Sequence, residues 1–187
     1  GQTILMQGAS SGVGLMGLQI AKHLGAKLVI GTSTKPEKFD KLKSIGADLV
    51  VNSKDKDWVD HVLQATNNEG VDLIIDQLSG YTINENMKAS KVKGTIVNVG
   101  RLAGGNTEFN CDLHALRRIN YRGVTFRTRS INEIREVYSK MWSDLGDLVV
   151  KGKLSLPIEK IFEFDDVSDA LSCIRENQHF GKLILKV

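Results

Sequence analysis

Short apolar runs alternate with stretches of helical periodicity along most of this chain. Thr3-Ile4-Leu5-Met6-Gln7 starts on a β-branched residue and stays mainly apolar for one strand length. From Val13 to Leu24 the positions Val13, Met16, Leu18, Ile20, Ala21 and Leu24 predict a largely buried helix. Lys27–Thr32 reads as a second strand. Pro36 suits the first turn of a helix reaching Ile45, with Gly46 as its left-handed stop. The same rhythm predicts a strand at Leu49–Val51, a helix over Asp57–Thr66 and a strand at Val71–Asp76. A helix over Asn84–Ser90 then leads into a fifth strand, Thr95–Val99.

After Gly100 the rhythm changes. A glycine-bearing loop to Asn110 precedes a short helix over Asp112–Ile119 and a sixth strand at Gly123–Phe126. Ile131–Val150 forms a long amphipathic pattern, and the tail from Leu156 to Val187 reads strand, helix, strand. Apolar runs joined by helices are the mark of βαβ units, so the expected fold is α/β: a Rossmann-like, doubly wound, six-stranded parallel sheet with helices on both faces. Residues 1–155 fall within it, and residues 156–187 form a separate C-terminal segment.

Composition narrows the function classes. With 25 Lys and Arg against 22 Asp and Glu, the charge is too even for a nucleic-acid footprint. No run of about 18 apolar residues predicts a membrane span, and no signal-peptide pattern is present. Cys111 and Cys173 lack a C-x-x-C spacing and are expected to pack as small apolar groups in a reducing, cytoplasmic setting. Glycine is the informative residue, at 18 against 2 prolines.

Three of those glycines lie in Gly8-Ala9-Ser10-Ser11-Gly12-Val13-Gly14, between the first strand and the first helix. A dinucleotide site needs glycine there for the tight turn, for backbone approach to pyrophosphate and for helix–strand packing. The helix N-terminus then offers free N–H groups and a positive dipole end to the phosphates. Short-chain dehydrogenases share this turn but also carry a Tyr-x-x-x-Lys pair. Here Tyr81 is followed at that spacing by Glu85, Tyr121 by Thr125 and Tyr138 by Trp142.

Gly1-Gln2-Thr3-Ile4-Leu5 leading into the glycine turn resembles the cofactor domain of medium-chain dehydrogenases/reductases, especially the zeta-crystallin-like quinone oxidoreductase branch of the zinc-type alcohol dehydrogenase superfamily. The likeness continues through Ser44-Ile45-Gly46-Ala47-Asp48, Gly70-Val71-Asp72 and Val99-Gly100-Arg101. It extends through Gly123–Arg129 and the closing His179-Phe180-Gly181-Lys182-Leu183.

At the end of the second strand, an Asp or Glu would hydrogen-bond a ribose 2′-hydroxyl and repel a 2′-phosphate. Ser33 stands there, 21 positions after Gly12, where NAD-using relatives carry Asp. Ser33 and Thr34 can donate to a phosphate while Lys35 and Lys38 offset its charge, so the expected cofactor is NADPH. Many quinone oxidoreductases place Tyr after the Asn at the third strand's end; here Asn52 is followed by Ser53. The phosphate-binding residues are then Ser10, Ser11, Gly12, Val13 and Gly14. Leu78 and Ser79, Val99, Gly100 and Arg101, and Phe126, Arg127 and Thr128 flank the nicotinamide. Backbone groups there are expected to bond the carboxamide, with Gly100 leaving room for the ring.

No residue reads as a catalytic acid or nucleophile. The histidines are scattered singly and read as surface or cap residues, and nothing has zinc-ligand spacing. The resemblance implies a hydride-transferring oxidoreductase acting on a quinone or an α,β-unsaturated carbonyl. It implies a GroES-like catalytic domain ahead of this chain, completed by residues 156–187, and a homodimer formed through the edge strand near residues 121–126. Two alternatives remain open: the cofactor domain of a zinc alcohol dehydrogenase, and a dinucleotide-binding module without turnover.

Overall fold

The computed structural model covers residues 1–187. Six parallel strands form the main sheet: β1 (Thr3–Met6), β2 (Leu28–Ser33), β3 (Leu49–Asn52), β4 (Val71–Asp76), β5 (Ser90–Asn98) and β6 (Asn120–Gly123). They lie in the order β3-β2-β1-β4-β5-β6, the doubly wound arrangement expected. The direction of winding reverses between β1 and β4, leaving a crevice at their carboxyl ends.

Helices cover both faces. α1 (Gly12–His23) and α2 (Phe39–Ile45) pack on one face; α3 (Trp58–Ala65), α4 (Ile83–Ala89) and α5 (Cys111–Arg117) pack on the other. Adjacent strand residues feed opposite cores. Met6, Val29 and Val50 meet Leu15, Leu18 and Leu42, whereas Leu5, Ile30, Val51 and Ile74 meet Val59, Val62 and Met87. Because both faces are buried, the strands read as continuous apolar runs rather than alternating ones. Each fully buried Leu or Ile contributes about 1.5–3 kcal/mol by leaving water.

Two strand boundaries differ from expectation. β5 opens at Ser90, opposite Val71, loops out over 91–94 with Lys93 at φ 65°, and resumes the ladder at Thr95 opposite Leu73. β6 lies three residues earlier than predicted, at Asn120–Gly123 instead of Gly123–Phe126. It pairs Thr95 with Asn120 and Asn98 with Gly123; the Val124 N–H reaches the Asn98 carbonyl, and there β5 ends. Thr125 and Phe126 therefore have no strand to pair with. Cys111 is exposed in the first turn of α5 rather than packed, and Cys173 is half-buried.

Beyond β6, α6 (Ile131–Val150) carries a Ser130–Glu133 capping box and is largely exposed, with Gly146 its buried residue. The tail folds as β7 (Ile158–Glu163), α7 (Val167–Arg175) and β8 (Lys182–Lys186), with β7 and β8 forming a separate parallel pair. No helix is long and apolar enough to cross a membrane.

Several contacts tie the tail to the main domain. Phe180 is buried among the α1 and α2 core residues. The Gln19 amide exchanges two hydrogen bonds with the Ser155 backbone. The buried Lys38 ammonium donates to the Asn177 carbonyl (2.9 Å), Asn177 Oδ1 (2.9 Å) and the His179 carbonyl (2.7 Å). Burial pushes the Lys38 pKa down, with Glu37 pulling it back up in part. Lys38→Met leaves three oxygens without their charged donor and is expected to cost about 2–4 kcal/mol. Urea unfolding gives the loss, and hydrogen exchange should rise most around residues 177–182. Unchanged protection there would refute the tethering role.

Candidate functional site

The crevice at the carboxyl ends of β1 and β4 is built around the turn from Gln7 to Ser11. Ser11 caps α1, its Oγ accepting from the Gly14 N–H (3.1 Å) and donating to Gln77 Oε1 (2.7 Å). The Gly12 and Val13 N–H groups donate to nothing in the chain, and the first turn of α1 holds no acidic residue. An anion therefore meets free donors and the positive dipole end. Gly14 is required by packing: a Cβ there would lie 2.6 Å from the Ala9 carbonyl oxygen. Ser10, Ser11, Gly12, Val13 and Gly14 thus share one turn, as read from the sequence.

At the end of β2, Ser33 is buried, its hydroxyl oxygen accepting from the Lys35 N–H (3.2 Å). The Ser53 N–H donates to the Ser33 carbonyl (3.3 Å), bringing the ends of β2 and β3 together. Lys35 is half-buried and forms no ion pair. Lys38 departs from expectation. Its ammonium is occupied by the tail oxygens and faces away from a phosphate role, because three carbonyl-type acceptors outcompete solvent for a buried cation.

Across the crevice, where backbone groups are expected to bond the carboxamide, four of the N–H groups already have partners within the chain. The Leu78 and Ser79 N–H groups both donate to Asp76 Oδ1 (2.9 Å each), and the Val99 and Gly100 N–H groups donate to the Asp76 carbonyl (2.7 and 3.1 Å). These four N–H groups are consumed inside the domain. Gly100 fits because a Cβ would lie 2.5 Å from the Gln77 carbonyl oxygen, so its smallness serves loop packing rather than room for a ring. Arg101, Phe126, Arg127 and Thr128 are exposed on the neighbouring loops, with the Arg129 guanidinium 5.6 Å from the Phe126 ring.

Several residues here carried no distinct signal in the sequence. Gln7, Thr32, Asn86 and Gln77 form a buried polar chain beneath the turn. The Lys182 side chain lies across Gly12, its ammonium 2.8 Å from where a Cβ would stand, and that ammonium makes no ion pair or hydrogen bond. Lys182 belongs to the closing motif that carried the likeness, but a lysine on a strand end is not readable as a neighbour of residue 12. His179, expected at the surface, has a buried Nδ1 without a partner. No group of three or more His, Cys, Asp or Glu residues gathers as a metal site.

The family model for zinc-binding dehydrogenases matches residues 12–143. The chain belongs to this family. It is a dinucleotide-binding domain of the medium-chain dehydrogenase/reductase superfamily. Over its whole length it is 26% identical to a segment of a highly reducing polyketide synthase from Emericella nidulans, of which it spans 7%. It is 26% identical to a segment of a hybrid PKS-NRPS synthetase from Aspergillus niger, of which it spans 5%. A quinone oxidoreductase structure from Pseudomonas syringae superposes on the whole chain with a TM-score of 0.83 at 26% identity; the chain covers 57% of it. The CurF ER cyclopropanase from the curacin A biosynthetic pathway gives 0.80 at 28% identity, with 54% covered. The chain spans about half of these solved structures and under a tenth of the curated relatives.

Asp76 has a measurable electrostatic signature. Burial raises its carboxyl above the ordinary carboxylate value, against the pull of the Ser79 and Leu78 N–H groups. Between that ordinary value and the raised one the folded state binds more protons than the unfolded state. Stability contributed at low pH is therefore lost as pH rises through this window, and no further above it. In denaturation series from about pH 4 to about pH 8, wild type should lose stability relative to Asp76→Asn; parallel curves would refute the assignment.

Proposed function

We propose that this chain is the NADPH-binding half of a reductase that delivers hydride to the electrophilic carbon of an α,β-unsaturated carbonyl. The observation that carries the cofactor choice is the end of β2, where Ser33 replaces an acid and Lys35 is unpaired. A bound 2′-phosphate would meet the Ser33 and Thr34 hydroxyls and the Lys35 cation there, with Glu37 exposed on the turn that follows. Ser53 fills the position beside Ser33 without adding an aromatic wall.

When bound, the nicotinamide cofactor supplies the hydride. The chain's own residues hold and orient: the Gly12 and Val13 N–H groups receive the pyrophosphate, and the Leu78 and Gly100 loops bound the ring's end of the crevice. The highly reducing polyketide synthase among the curated relatives supports an enoyl acceptor, and the quinone oxidoreductase structure keeps a quinone as the second reading. The substrate would be a small molecule lying between this domain and a preceding catalytic domain. Residues 156–187 would complete that second domain, consistent with exposed Ile158, Ile161, Ile184 and Leu185 on β7 and β8. The unpaired side of the β6 edge supports assembly as a homodimer through it.

NADPH and NADH fluorescence titrations test the cofactor. NADPH should bind more tightly by about tenfold or more, and Ser33→Asp should remove that preference by placing a carboxylate against the phosphate. A wild-type preference for NADH would overturn the choice. Light scattering coupled to size-exclusion chromatography should return twice the chain mass; a monomer at every concentration would remove the dimer.

A further inference from the structure

Asp76 and Ser79 form a tightly constrained polar pair at the edge of the crevice, and no contact with the cofactor has been assigned to either side chain. Asp76 is fully buried at the end of β4. Its Oδ1 accepts from the Leu78 and Ser79 N–H groups, its main-chain oxygen accepts from the Val99 and Gly100 N–H groups, and its Oδ2 has no partner. Ser79 is also buried and sits at φ 53°, ψ −145°, a region costing a non-glycine residue roughly 1–3 kcal/mol. Its hydroxyl donates to the Gly100 carbonyl (2.9 Å), and its carbonyl accepts from the Thr82 hydroxyl (2.9 Å). Two further bonds, from the Leu102 N–H to the Gln77 carbonyl and from the Ala103 N–H to the Leu78 carbonyl, close the loop after β4 onto the loop after β5.

The outcome is a fixed Leu78. Its side chain lies against the glycine turn, with Cδ2 3.5 Å from where a Cβ on Gly8 would stand, so it walls the crevice beside the phosphate turn. A free loop would not hold a serine in this conformation. Such strain persists only where surrounding contacts over-determine it.

We infer that Asp76 and Ser79 are positioning residues: together they lock the loops after β4 and β5 so that Leu78 and Gly100 present a rigid wall to the nicotinamide end of the cofactor. The inference rests on the dinucleotide reading above and adds a division of labour. The adenosine half is held by the β2 and α1 ends, and the nicotinamide half by a wall that Asp76 sets at a distance.

The test compares two probes on the full chain: NADPH, which spans both halves, and 2′,5′-ADP, which reaches only the adenosine half. Asp76→Ala and Ser79→Ala should each weaken NADPH by about tenfold while leaving 2′,5′-ADP within about twofold of wild type. Asp76→Asn keeps an acceptor for both N–H groups and should restore most of the NADPH affinity. If Asp76→Ala does not fold, Ser79→Ala, which removes one hydroxyl, carries the test. Folded variants that keep the wild-type ratio of the two affinities, or lose both equally, would overturn the inference alone. A wild-type chain that binds neither probe would overturn the dinucleotide reading and this inference with it.

Discussion

The crevice depends on how β1 ends. Gln7 is fully buried at a point where the sheet has just changed its direction of winding. Its side chain accepts from Thr32 on β2 (2.8 Å) and donates to Asn86 on α4 (2.6 Å), its N–H reaches the Ile75 carbonyl on β4, and its carbonyl takes the Gln77 amide (3.1 Å). One residue therefore joins both halves of the sheet. Thr32 passes the linkage upward, accepting from the Gly8 N–H (3.0 Å), and Gln77 passes it to Ser11. A buried amide left without partners costs several kcal/mol, so these strands cannot slide without breaking a satisfied network. The glycine turn is rigid because the strand ends beneath it are bolted together.

Rigidity matters because a turn of this kind can hold an anion only through its backbone. N–H groups at a helix start attract an anion only if they point at it, and no side chain can re-aim them afterwards. Ser11 is therefore doubly used, capping α1 and anchoring to Gln77. Gly14 allows α1 to approach β1 closely enough for that geometry. The same logic governs the far wall, where the N–H groups that a free loop would offer to a ligand have been turned inward onto Asp76. One side of the crevice presents donors; the other presents shape.

Much of this fold was legible in the sequence. Parallel strands buried on both faces leave continuous apolar runs, and helices leave a different period, so element order and sheet type could be read directly. The glycine turn was legible because glycine there answers a local steric demand. What escaped reading depends on contacts between residues far apart in the chain. Lys38 looked like a phosphate partner because it is a cation shortly after Ser33 in the chain, yet its acceptors are 139 and 141 positions away. Gly100 looked like an opening because glycine lacks a side chain, but the space it vacates is filled by Gln77. The position of β6 was set by where β5 stops, which propensity at residues 123–126 could not reveal.

The tail shows how such a distant contact shapes the site itself. Because Lys38 is held by Asn177 and His179, the segment entering β8 is fixed against the α2 side of the sheet, and Lys182 is delivered across Gly12. That places an unpaired ammonium beside the positive end of α1. The two positive ends sit together at little cost in water and repel more strongly where the effective dielectric falls. A diphosphate entering between them would neutralise both. The cation expected at the cofactor thus serves the chain's own tail, and a cation from near the other end of the chain lies beside the start of α1.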